Sequence, residues 1–375
     1  MNRRRPPAEV TFDFARRRDK LRRLLRRNDV DGMLVTHPPN IYYLSGFRGE
    51  DSWLLVSLDA SILISDSRFT EQIAEEAPEL DAAIAPLRMT RSEWRCRTIE
   101  RCRLGRLAVE SHILSHAQFA SLEDHLARTE LVPAGQWIES LRQIKDREEV
   151  EAIGRAVRIA ERAYEAARAG WTSSMTERAV ATELEYRIRL LGGSGCSFPP
   201  IVAAGPRAAL PHARPGERIV GAAPFVLVDW GAVAGGYVSD LTRVWAVDRI
   251  PPKLERVYEV VLQAQRAAIA KIAPGVSLRQ VDAAARRVIE RAGFGKRFGH
   301  ALGHGLGLEV HEAPRVGPNE SRRLQPGMVV TVEPGIYLPR WGGVRIEDDV
   351  LVTRTGHQLL STLPNDAPDV VVRTV

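Results

Sequence analysis

The sequence has 375 residues, of which 44% are hydrophobic and 27% charged, and its net charge is +6 at pH 7. This length suits roughly two domains, and apolar runs such as Phe225 to Val228 are far shorter than a membrane span of about 20 residues. Three cysteines, Cys96, Cys102 and Cys196, fit neither a disulfide framework nor a zinc knuckle. Because no apolar signal region follows the basic residues that end at Arg5, we expect a cytoplasmic protein.

A basic segment near the N-terminus is predicted to form an amphipathic helix. Leu21, Leu24 and Leu25 fall at helical spacing, and arginines between Arg16 and Arg27 surround them. Such a helix could serve as an arm for nucleic acid or for a membrane surface. No aromatic residues interleave with these arginines and no second basic block follows. We therefore expect a solvated arginine face, and neither nucleic acid nor a membrane as a partner.

Short strand signals follow this helix. The runs Gly32 to Val35, Trp53 to Ser57 and Ser61 to Ser65 predict strands of a small sheet, and His37 to Asn40 predicts a turn. A long helix rich in Glu, Arg and Ala is predicted from Asp146 to Ala169. The domain boundary is placed just before this helix, which gives a first domain of residues 1–143 and a second of residues 144–375.

The second domain mixes helices with strands. Capping-box spacings begin two more helices, one with Ser174 and Glu177 and one with Ser277 and Gln280. Helices and strands are partly segregated, so the fold class is predicted to be α+β. The strand signals are Pro224 to Ala232, Tyr237 to Val247, Met328 to Pro334 and Gly343 to Thr353.

Four of these strand-like segments carry an acid in an apolar setting. The acids are Asp229, Asp240, Glu333 and Glu347. A turn at Gly235 and Gly236 would fold the first two segments into a hairpin and bring Asp229 and Asp240 together. A buried carboxylate is costly unless it is paired or bound to a metal, and two divalent cations would balance four carboxylates. The alternative is four acids at solvent-facing strand ends, each with its own arginine.

Histidines favour the metal site. His300, His304 and His311 lie in a glycine-rich run, and His212 precedes them. Glycines beside His304 let the backbone approach a site closely. His304 and His311 are seven residues apart, which is not the two-histidine helix motif of zinc proteases, and the glycine spacing is not that of a dinucleotide-binding loop.

Six segments resemble, in order, the creatinase/prolidase family, whose peptidase members are Xaa-Pro dipeptidases and Xaa-Pro aminopeptidases. They are Val228 to Ala232, Ser239 to Arg243, Gly303 to Leu308, His311 to Pro314, Val332 to Gly335 and Val344 to Asp348. Asn40 to Phe47 and Asp66 to Glu71 resemble the family's N-terminal domain. The resemblance covers essentially the whole chain. It implies a creatinase-like α/β N-terminal domain before a pita-bread catalytic domain.

The resemblance also implies the site. Its metal ligands would be Asp229, Asp240, His304, Glu333 and Glu347, and its substrate-facing histidines would be His212 and His311. Four oxygen-donating residues and one nitrogen donor suit hard or borderline metals; the resemblance favours manganese or cobalt, with zinc or iron as alternatives. In the expected reaction an activated water attacks the scissile carbonyl. Glu333 is the candidate to carry a proton to the leaving proline nitrogen, while His311 and His212 would stabilise the oxyanion or orient the carbonyl.

We therefore expect dinuclear metal-dependent hydrolysis of the Xaa-Pro bond of dipeptides or short peptides, by a chain that the resemblance implies is a homodimer. Arg315 directly follows the His311 segment and could grip the free carboxylate of a C-terminal proline. This favours an Xaa-Pro dipeptidase over an Xaa-Pro aminopeptidase, unless Arg315 is an ordinary surface residue. Arg345 shares a strand face with Glu347, and we expect it to brace the metal ligands.

Three other functions occur on the same catalytic fold. A creatinase-like amidinohydrolase works without metal and has lost ligand positions, which this chain retains. Methionine aminopeptidase shares the catalytic fold, but the N-terminal domain and the His311-Glu312 motif speak against it. A non-catalytic peptide-binding or chaperone relative would need no metal, so the complete ligand set argues against that function as well.

Overall fold

The structure is a computed structural model that describes residues 11–366 and 371–373. The chain forms two compact units, one spanning Thr11–Arg142 and the other beginning at Gln143. Across the described ranges, no helix is both long enough and apolar enough to cross a bilayer.

The N-terminal unit is built on one mixed sheet of six strands. The strands are β1 (Gly32–Val35), β2 (Trp53–Ser57), β3 (Ser61–Asp66), β4 (Asp81–Ala85), β5 (Arg106–Glu110) and β6 (Glu130–Ala134). The helices are α1 (Phe14–Arg27), α2 (Pro38–Ser45), α3 (Thr70–Glu76), α4 (Arg91–Arg101), α5 (His116–His125) and α6 (Trp137–Arg142). The sheet order is β4-β3-β2-β1-β5-β6. Strand β1 pairs antiparallel with β2 and parallel with β5, so hairpin and crossover connections meet at the centre of the sheet.

Helix α1 confirms the predicted amphipathic helix, and most of its arginines are exposed as expected, but two of them are buried. These two are Arg17 and Arg18. The guanidinium of Arg17 lies 4.5 Å from the ring centroid of Tyr43 and donates to the Tyr43 carbonyl oxygen at 3.2 Å. Arg18 donates to the carbonyl oxygen of Leu44 at 2.8 Å. Because a planar guanidinium can stack on a ring and also donate hydrogen bonds, these arginines fasten α1 to α2.

The turn predicted at residues 37–40 is in fact the start of α2. His37 is the N-cap residue and Pro38 takes the first helical position. Proline is tolerated there because its fixed φ already suits a helix and its missing N–H would have no partner inside the helix. The two prolines therefore begin a helix at this point instead of preventing one.

The second unit contains four long helices and fourteen described strands. The helices are α7 (Arg147–Ala169), α8 (Glu177–Leu190), α9 (Pro252–Ile269) and α10 (Leu278–Arg291). The first seven strands are β7 (Gly195–Cys196), β8 (Ile201–Ala204), β9 (Phe225–Trp230), β10 (Ala232–Ala234), β11 (Tyr237–Val238), β12 (Leu241–Val247) and β13 (Gly303–Gly305). The others are β14 (Glu312–Val316), β15 (Val329–Val332), β16 (Gly335–Leu338), β17 (Gly342–Arg345), β18 (Asp348–Val352), β19 (His357–Leu359) and β20 (Val371–Val372).

These strands form four described sheets that carry the acidic segments. Their orders are β11-β10-β7, β20-β12-β9-β8, β14-β13-β15-β18-β19 and β16-β17. Strand β9 pairs antiparallel with β12, and Asp229 lies opposite Thr242. The predicted turn at Gly235 and Gly236 links β10 to β11, and both glycines have a positive φ, which favours glycine. The hairpin predicted to join the first two acidic segments is thus confirmed.

The two faces of β9 pack into different parts of the core. Val226 and Val228 belong to the apolar cluster beneath α7 and α8, whereas Phe225 and Leu227 belong to the cluster that includes α9 and α10. The alternation of a strand places Asp229 on the second of these faces, as the sequence predicted. The core on both faces fixes the strand, and with it the position of the carboxylate.

One of the two predicted capping boxes is confirmed and the other is wrong. At the start of α10 the side chain of Gln280 accepts from the backbone N–H of Ser277 at 3.1 Å. At α8 the N-cap is Thr176, whose hydroxyl accepts from the backbone N–H of Ala179 at 3.1 Å. Glu177 is instead fully buried and forms an ion pair with Arg207. Its carboxylate also accepts from the backbone N–H groups of Ala204 and Gly216, each at 2.9 Å, so it is satisfied by distant donors and not by the helix start.

Candidate active site

A cavity of about 810 Å³ in the second unit is lined by residues from Phe198 to Glu347. Every site residue predicted from the sequence lines this cavity. They are His212, Asp229, Asp240, His304, His311, Arg315, Glu333 and Glu347. The tertiary structure thus brings together residues that are up to 135 positions apart (347 − 212) in the chain.

Three of these side chains come close enough to share one cation. Ligand atoms of Asp240, His304 and Glu347 all lie within 4.8 Å of one another. The Nε2 atom of His304 is 3.7 Å from Oδ2 of Asp240. Asp240 precedes β12, His304 is in β13 and Glu347 follows β17, so three elements converge on the site. Two carboxylates and an imidazole are donors that a divalent metal ion accepts.

Asp229 and Glu333 lie outside this close group but line the same cavity. Oε1 of Glu333 is 3.5 Å from Nε2 of His304. One oxygen of Asp229, Oδ2, accepts from Nη2 of Arg345. Its other oxygen, Oδ1, is buried without a hydrogen-bond partner. An unpartnered buried carboxylate oxygen is costly, and a cation is a group that would stabilise it. The donor set therefore fits a metal centre.

The acids raise one another's pKa. Burial, reinforced by the charge of Glu347, raises the pKa of Asp240 and of Glu333 well above the usual range. Burial and the charge of Asp229 raise the pKa of Glu347 to about 8. Without a cation, some of these carboxyls hold protons at neutral pH, since like charges in a low-dielectric site cannot all ionise.

His304 is prepared to act as a ligand. Burial, followed by the neighbouring His311, lowers its pKa to about 4, so the imidazole is neutral. Its Nδ1 lies 3.1 Å from the carbonyl oxygen of Gly305. Because a carbonyl only accepts, Nδ1 carries the proton and the lone pair is left on Nε2. That atom points at Asp240 and Glu333.

Two glycines allow β13 to lie where His304 reaches the acids. A Cβ on Gly303 would stand 2.2 Å from the carbonyl oxygen of Thr331, and one on Gly305 would stand 2.4 Å from that of Ala313. Any side chain would push the neighbouring strands apart. The glycines beside His304 thus permit close backbone approach, as predicted.

The comparison with known proteins agrees with this geometry. The sequence profile of metallopeptidase family M24 matches residues 151–354, and that of the creatinase/prolidase N-terminal domain matches residues 17–144. The chain is a member of metallopeptidase family M24. The fold predicted from the sequence, a creatinase-like domain followed by a pita-bread catalytic domain, is confirmed.

Relatives of this M24 metallopeptidase match over nearly their whole length. A protein named Xaa-Pro dipeptidase from Pyrococcus horikoshii is 33% identical over 91% of this chain and 95% of its own. The solved Xaa-Pro dipeptidase from Bacillus anthracis has a TM-score of 0.90 and 33% identity, covering 96% of this chain and 100% of that one. The solved X-Pro aminopeptidase from Thermotoga maritima has a TM-score of 0.86 and 32% identity, covering 94% and 100%.

The residues predicted to face the substrate lie around the metallopeptidase's candidate ligands. The rings of His304 and His311 are edge to face, with centroids 4.3 Å apart. In the pairing of β13 with β14, Arg315 lies directly opposite His304, so both side chains project from the same face of the sheet. His212, His311 and Arg315 are all exposed along the cavity.

A hydrogen-bonded chain behind the ligands contains residues that the sequence analysis missed. Arg345 braces Asp229, as predicted, and it also donates to Oγ1 of Thr242 at 3.1 Å and to the Tyr337 hydroxyl at 2.8 Å. Thr242 in turn donates to Oε2 of Glu347 at 2.6 Å. A strand-pairing argument could have found Thr242, because it lies opposite Asp229 in the confirmed hairpin.

Proposed function

We propose that this M24 metallopeptidase hydrolyses the Xaa-Pro bond of dipeptides or short peptides with two divalent ions. The observation that carries the proposal is the convergence of the candidate donors on one cavity. The ligands would be Asp229, Asp240, His304, Glu333 and Glu347. Relatives named Xaa-Pro dipeptidase, which share a third of their residues with this chain, support the substrate class.

Manganese or cobalt is the proposed metal, with zinc or iron as alternatives. Carboxylate oxygens dominate the donor set and His304 adds one nitrogen, a combination that hard or borderline divalent ions accept. When bound, the ions lower the pKa of a water molecule and polarise the scissile carbonyl.

The chain's own side chains move the proton and hold the substrate. Glu333 lines the cavity beside His304, where its carboxylate can take a proton from the attacking water and deliver it to the proline nitrogen. Burial and the nearby His212 lower the pKa of His311, which favours a neutral imidazole. A neutral His311 can donate its N–H to the carbonyl oxygen as negative charge develops there. His212 would approach the substrate from a separate loop.

An apolar wall suits the proline ring. Phe198, Pro199, Pro200 and Ile201 line the cavity in sequence. An acylated proline nitrogen has no N–H to donate, so the ring has to be recognised by shape and apolar contact. A run of three cyclic side chains followed by a branched one offers such a surface.

A dipeptide is the preferred substrate length. Arg315 lies across from His304 on the same sheet face and is exposed in the cavity, where it could pair with the free carboxylate of a C-terminal proline. Solved relatives carry both the dipeptidase and the aminopeptidase names. Xaa-Pro aminopeptidase activity on longer peptides is therefore the alternative.

Metal analysis tests the first part of the proposal. We expect about two divalent ions per purified chain and loss of peptidase activity on chelation. Asp240→Ala and Glu347→Ala should each lose at least one ion, whereas the exposed control Glu259→Ala should keep both. Full occupancy and activity in both ligand variants would refute the metal assignment.

A substrate panel tests the preferred length. Arg315→Ala should lower kcat/KM for Xaa-Pro dipeptides by the equivalent of about 1.5–3 kcal/mol, the worth of a charged hydrogen bond, and should leave Xaa-Pro tripeptides nearly unchanged. The exposed arginine variant Arg291→Ala serves as the matched control. Equal cleavage of dipeptides and tripeptides, with no selective loss in Arg315→Ala, would favour the aminopeptidase.

The proposal also includes a homodimer, as the family resemblance implies, and a location in the cytoplasm. Light scattering of the purified protein checks the oligomeric state: a monomeric mass at micromolar concentration would contradict the homodimer. Fractionation of the producing cell checks the location.

A further inference from the structure

A lysine at the beginning of the catalytic unit reaches the loop that carries His311. Nζ of Lys145 lies 3.2 Å from Oε2 of Glu312, and the two side chains are only 1% and 7% exposed. The backbone N–H of Lys145 donates to the carbonyl oxygen of Gly327 at 2.9 Å. The backbone that carries the ammonium is therefore fixed, and each partner compensates a charge that would be costly to bury alone.

Glu312 uses its other oxygen to hold the loop. Oε1 accepts from the backbone N–H of Leu308 at 2.8 Å and from that of Glu309 at 3.1 Å. Gly307 packs against the same carboxylate, because a Cβ there would stand 2.9 Å from Oε2. Two consecutive amides that donate to one charged oxygen make a firm anchor. The turn between β13 and β14 is thereby tied to Lys145.

The same turn presents His311 to the cavity. The chain passes from Glu309 through Val310 to His311, whose ring stands edge to face with the ring of His304. Glu312 touches the cavity wall, and Lys145 is absent from the described residues that line it. The ion pair with Glu312 therefore links the Lys145 side chain to the cavity through the turn.

We propose that Lys145 is a positioning residue for hydrolysis. Its ammonium keeps the Glu312 carboxylate charged and in place, and the anchored turn then holds His311 toward the substrate carbonyl. Without this ammonium the buried carboxylate would have to take a proton or rotate toward water, and either change weakens its hold on Leu308 and Glu309. The inference rests on the proposed function, in which His311 assists the substrate carbonyl.

Kinetics of three lysine variants test this role. Lys145→Met keeps the length of the side chain but removes its charge, Lys145→Arg keeps the charge, and Lys271→Met removes an exposed lysine of the same unit as the control. We expect Lys145→Met to lower kcat about tenfold, a fraction of what loss of a direct oxyanion donor costs, with KM and metal content unchanged. Lys145→Arg should recover most of the loss, and Lys271→Met should match the wild type.

A double-mutant cycle separates positioning from general stability. In a His311→Ala background, Lys145→Met should have little further effect on kcat, because both changes remove the same contribution. An undiminished further loss in that background would overturn the inference, as would wild-type kcat in Lys145→Met.

Magnetic resonance tests the position of His311 without relying on a measurement of activity. The ring resonance of His311, assigned by its absence in His311→Gln, should shift in Lys145→Met and stay in place in Lys271→Met. If the wild-type protein cleaves Xaa-Pro dipeptides and the His311 resonance does not shift in Lys145→Met, the proposed role of Lys145 is overturned. If the resonance shifts in Lys145→Met but the wild-type protein cleaves no Xaa-Pro dipeptide, the proposed function is refuted instead.

A double variant that removes both charges provides the test if Lys145→Met alone fails to fold. Lys145→Met combined with Glu312→Gln buries no charge, and the amide oxygen that the second substitution introduces can still accept from Leu308 or Glu309. This double variant should fold and recover both the His311 resonance and most of kcat. If it folds with His311 displaced and kcat still low, the charge pair between Lys145 and Glu312 is needed for more than the turn, and the inference fails.

Discussion

Two groups of buried acids in this metallopeptidase differ in what stabilises them. In the N-terminal unit, Glu110 is completely buried and its oxygens accept four hydrogen bonds. The donors are the backbone N–H and hydroxyl of Thr36, the backbone N–H of His37 and the amide of Asn40, at 2.5–3.0 Å. Neutral donors, three of them from two consecutive residues, satisfy this carboxylate within the protein.

The carboxylates that line the cavity lie near other carboxylates and not within a set of neutral donors. Burial raises the pKa of Asp240, Glu333 and Glu347; the charge of Glu347 adds to the rise at the first two, and that of Asp229 adds to the rise at Glu347. Asp229 has a buried oxygen without a partner. Here carboxylates face carboxylates, whereas Glu110 faces N–H and O–H groups. The comparison teaches that burial alone does not mark a functional acid. A shortage of donors at acids that line a cavity, as at Asp229, points to a cation that would supply what the protein has left out.

The largest contrast is expected in turnover. Glu333→Gln should lower kcat about 10²–10⁴-fold, the usual cost of losing a general acid–base, while KM changes little. Glu110→Gln, the same chemical change in the other group, should leave kcat per folded molecule unchanged. Steady-state kinetics on an Xaa-Pro dipeptide, normalised to folded protein, check both. An unchanged kcat in Glu333→Gln would remove Glu333 from the mechanism, and a large loss in Glu110→Gln would break the contrast.

A second contrast lies in the pH dependence of the metal-free protein. The folded-state pKa of Glu347 is about 8 against an ordinary value of 4.5, so the folded state holds this proton more tightly than the unfolded chain does. The contribution of this proton to the free energy of unfolding is therefore complete below about pH 4.5, and it is lost as pH rises towards about 8. The loss approaches about 1.4 kcal/mol per pH unit for one such group.

Urea unfolding of chelated protein between pH 5 and pH 8 (about the window of the Glu347 shift) measures this slope. Glu347→Gln should make it less steep, since an amide does not titrate, while Asp240 and Glu333 account for the slope that remains. Wild-type protein saturated with metal should lose the slope, because bound ions favour the ionised carboxylates. A wild-type apoprotein whose stability rises with pH over this window would show that the cavity acids are better satisfied than the structure indicates.

A smaller effect is expected when the well-satisfied carboxylate is changed. Glu110→Gln places an NH₂ group where only donors point, so it should lower the free energy of unfolding by about 1–3 kcal/mol. Glu123→Gln, an exposed glutamate in the same unit, is the matched control and should be neutral. Urea denaturation of the two variants checks the prediction. A neutral Glu110→Gln would mean that the four hydrogen bonds do not require a charge.

The smallest effect concerns a single donor of that group. Thr36→Val removes the hydroxyl that donates to Glu110 at 3.0 Å but keeps the backbone N–H and the branched shape. We expect a loss of about 0.5–1.5 kcal/mol in unfolding free energy and no change in kcat. Thr36→Ser retains the hydroxyl and should lose less. If Thr36→Ser were the more damaging variant, packing of the methyl group, and not the hydrogen bond, would be what matters.

Local sequence patterns by themselves predicted several elements and the set of acids and histidines, whereas the ligand and substrate-facing roles came from the family resemblance and stay predictions. Asp146 caps the helix predicted to begin there, β1 spans the same four residues as its strand signal, and the predicted ligands and substrate-facing residues all line one cavity. The helix cap and the strand follow from interactions within about four positions along the chain, or from strand alternation, so they can be read from the order of residues alone.

The tertiary structure decided which partner each charged group takes. Glu177 has the spacing of a capping box but pairs with Arg207, which is 30 positions away. Lys145 reaches Glu312 across 167 positions, and Arg17 is buried against Tyr43 across 26. In the sequence, Lys145 and Arg17 read as ordinary solvated charges and Glu177 reads as part of a local helix cap. Only packing removes the water and brings a distant partner within reach, and this competition between solvent and partner has no local signature.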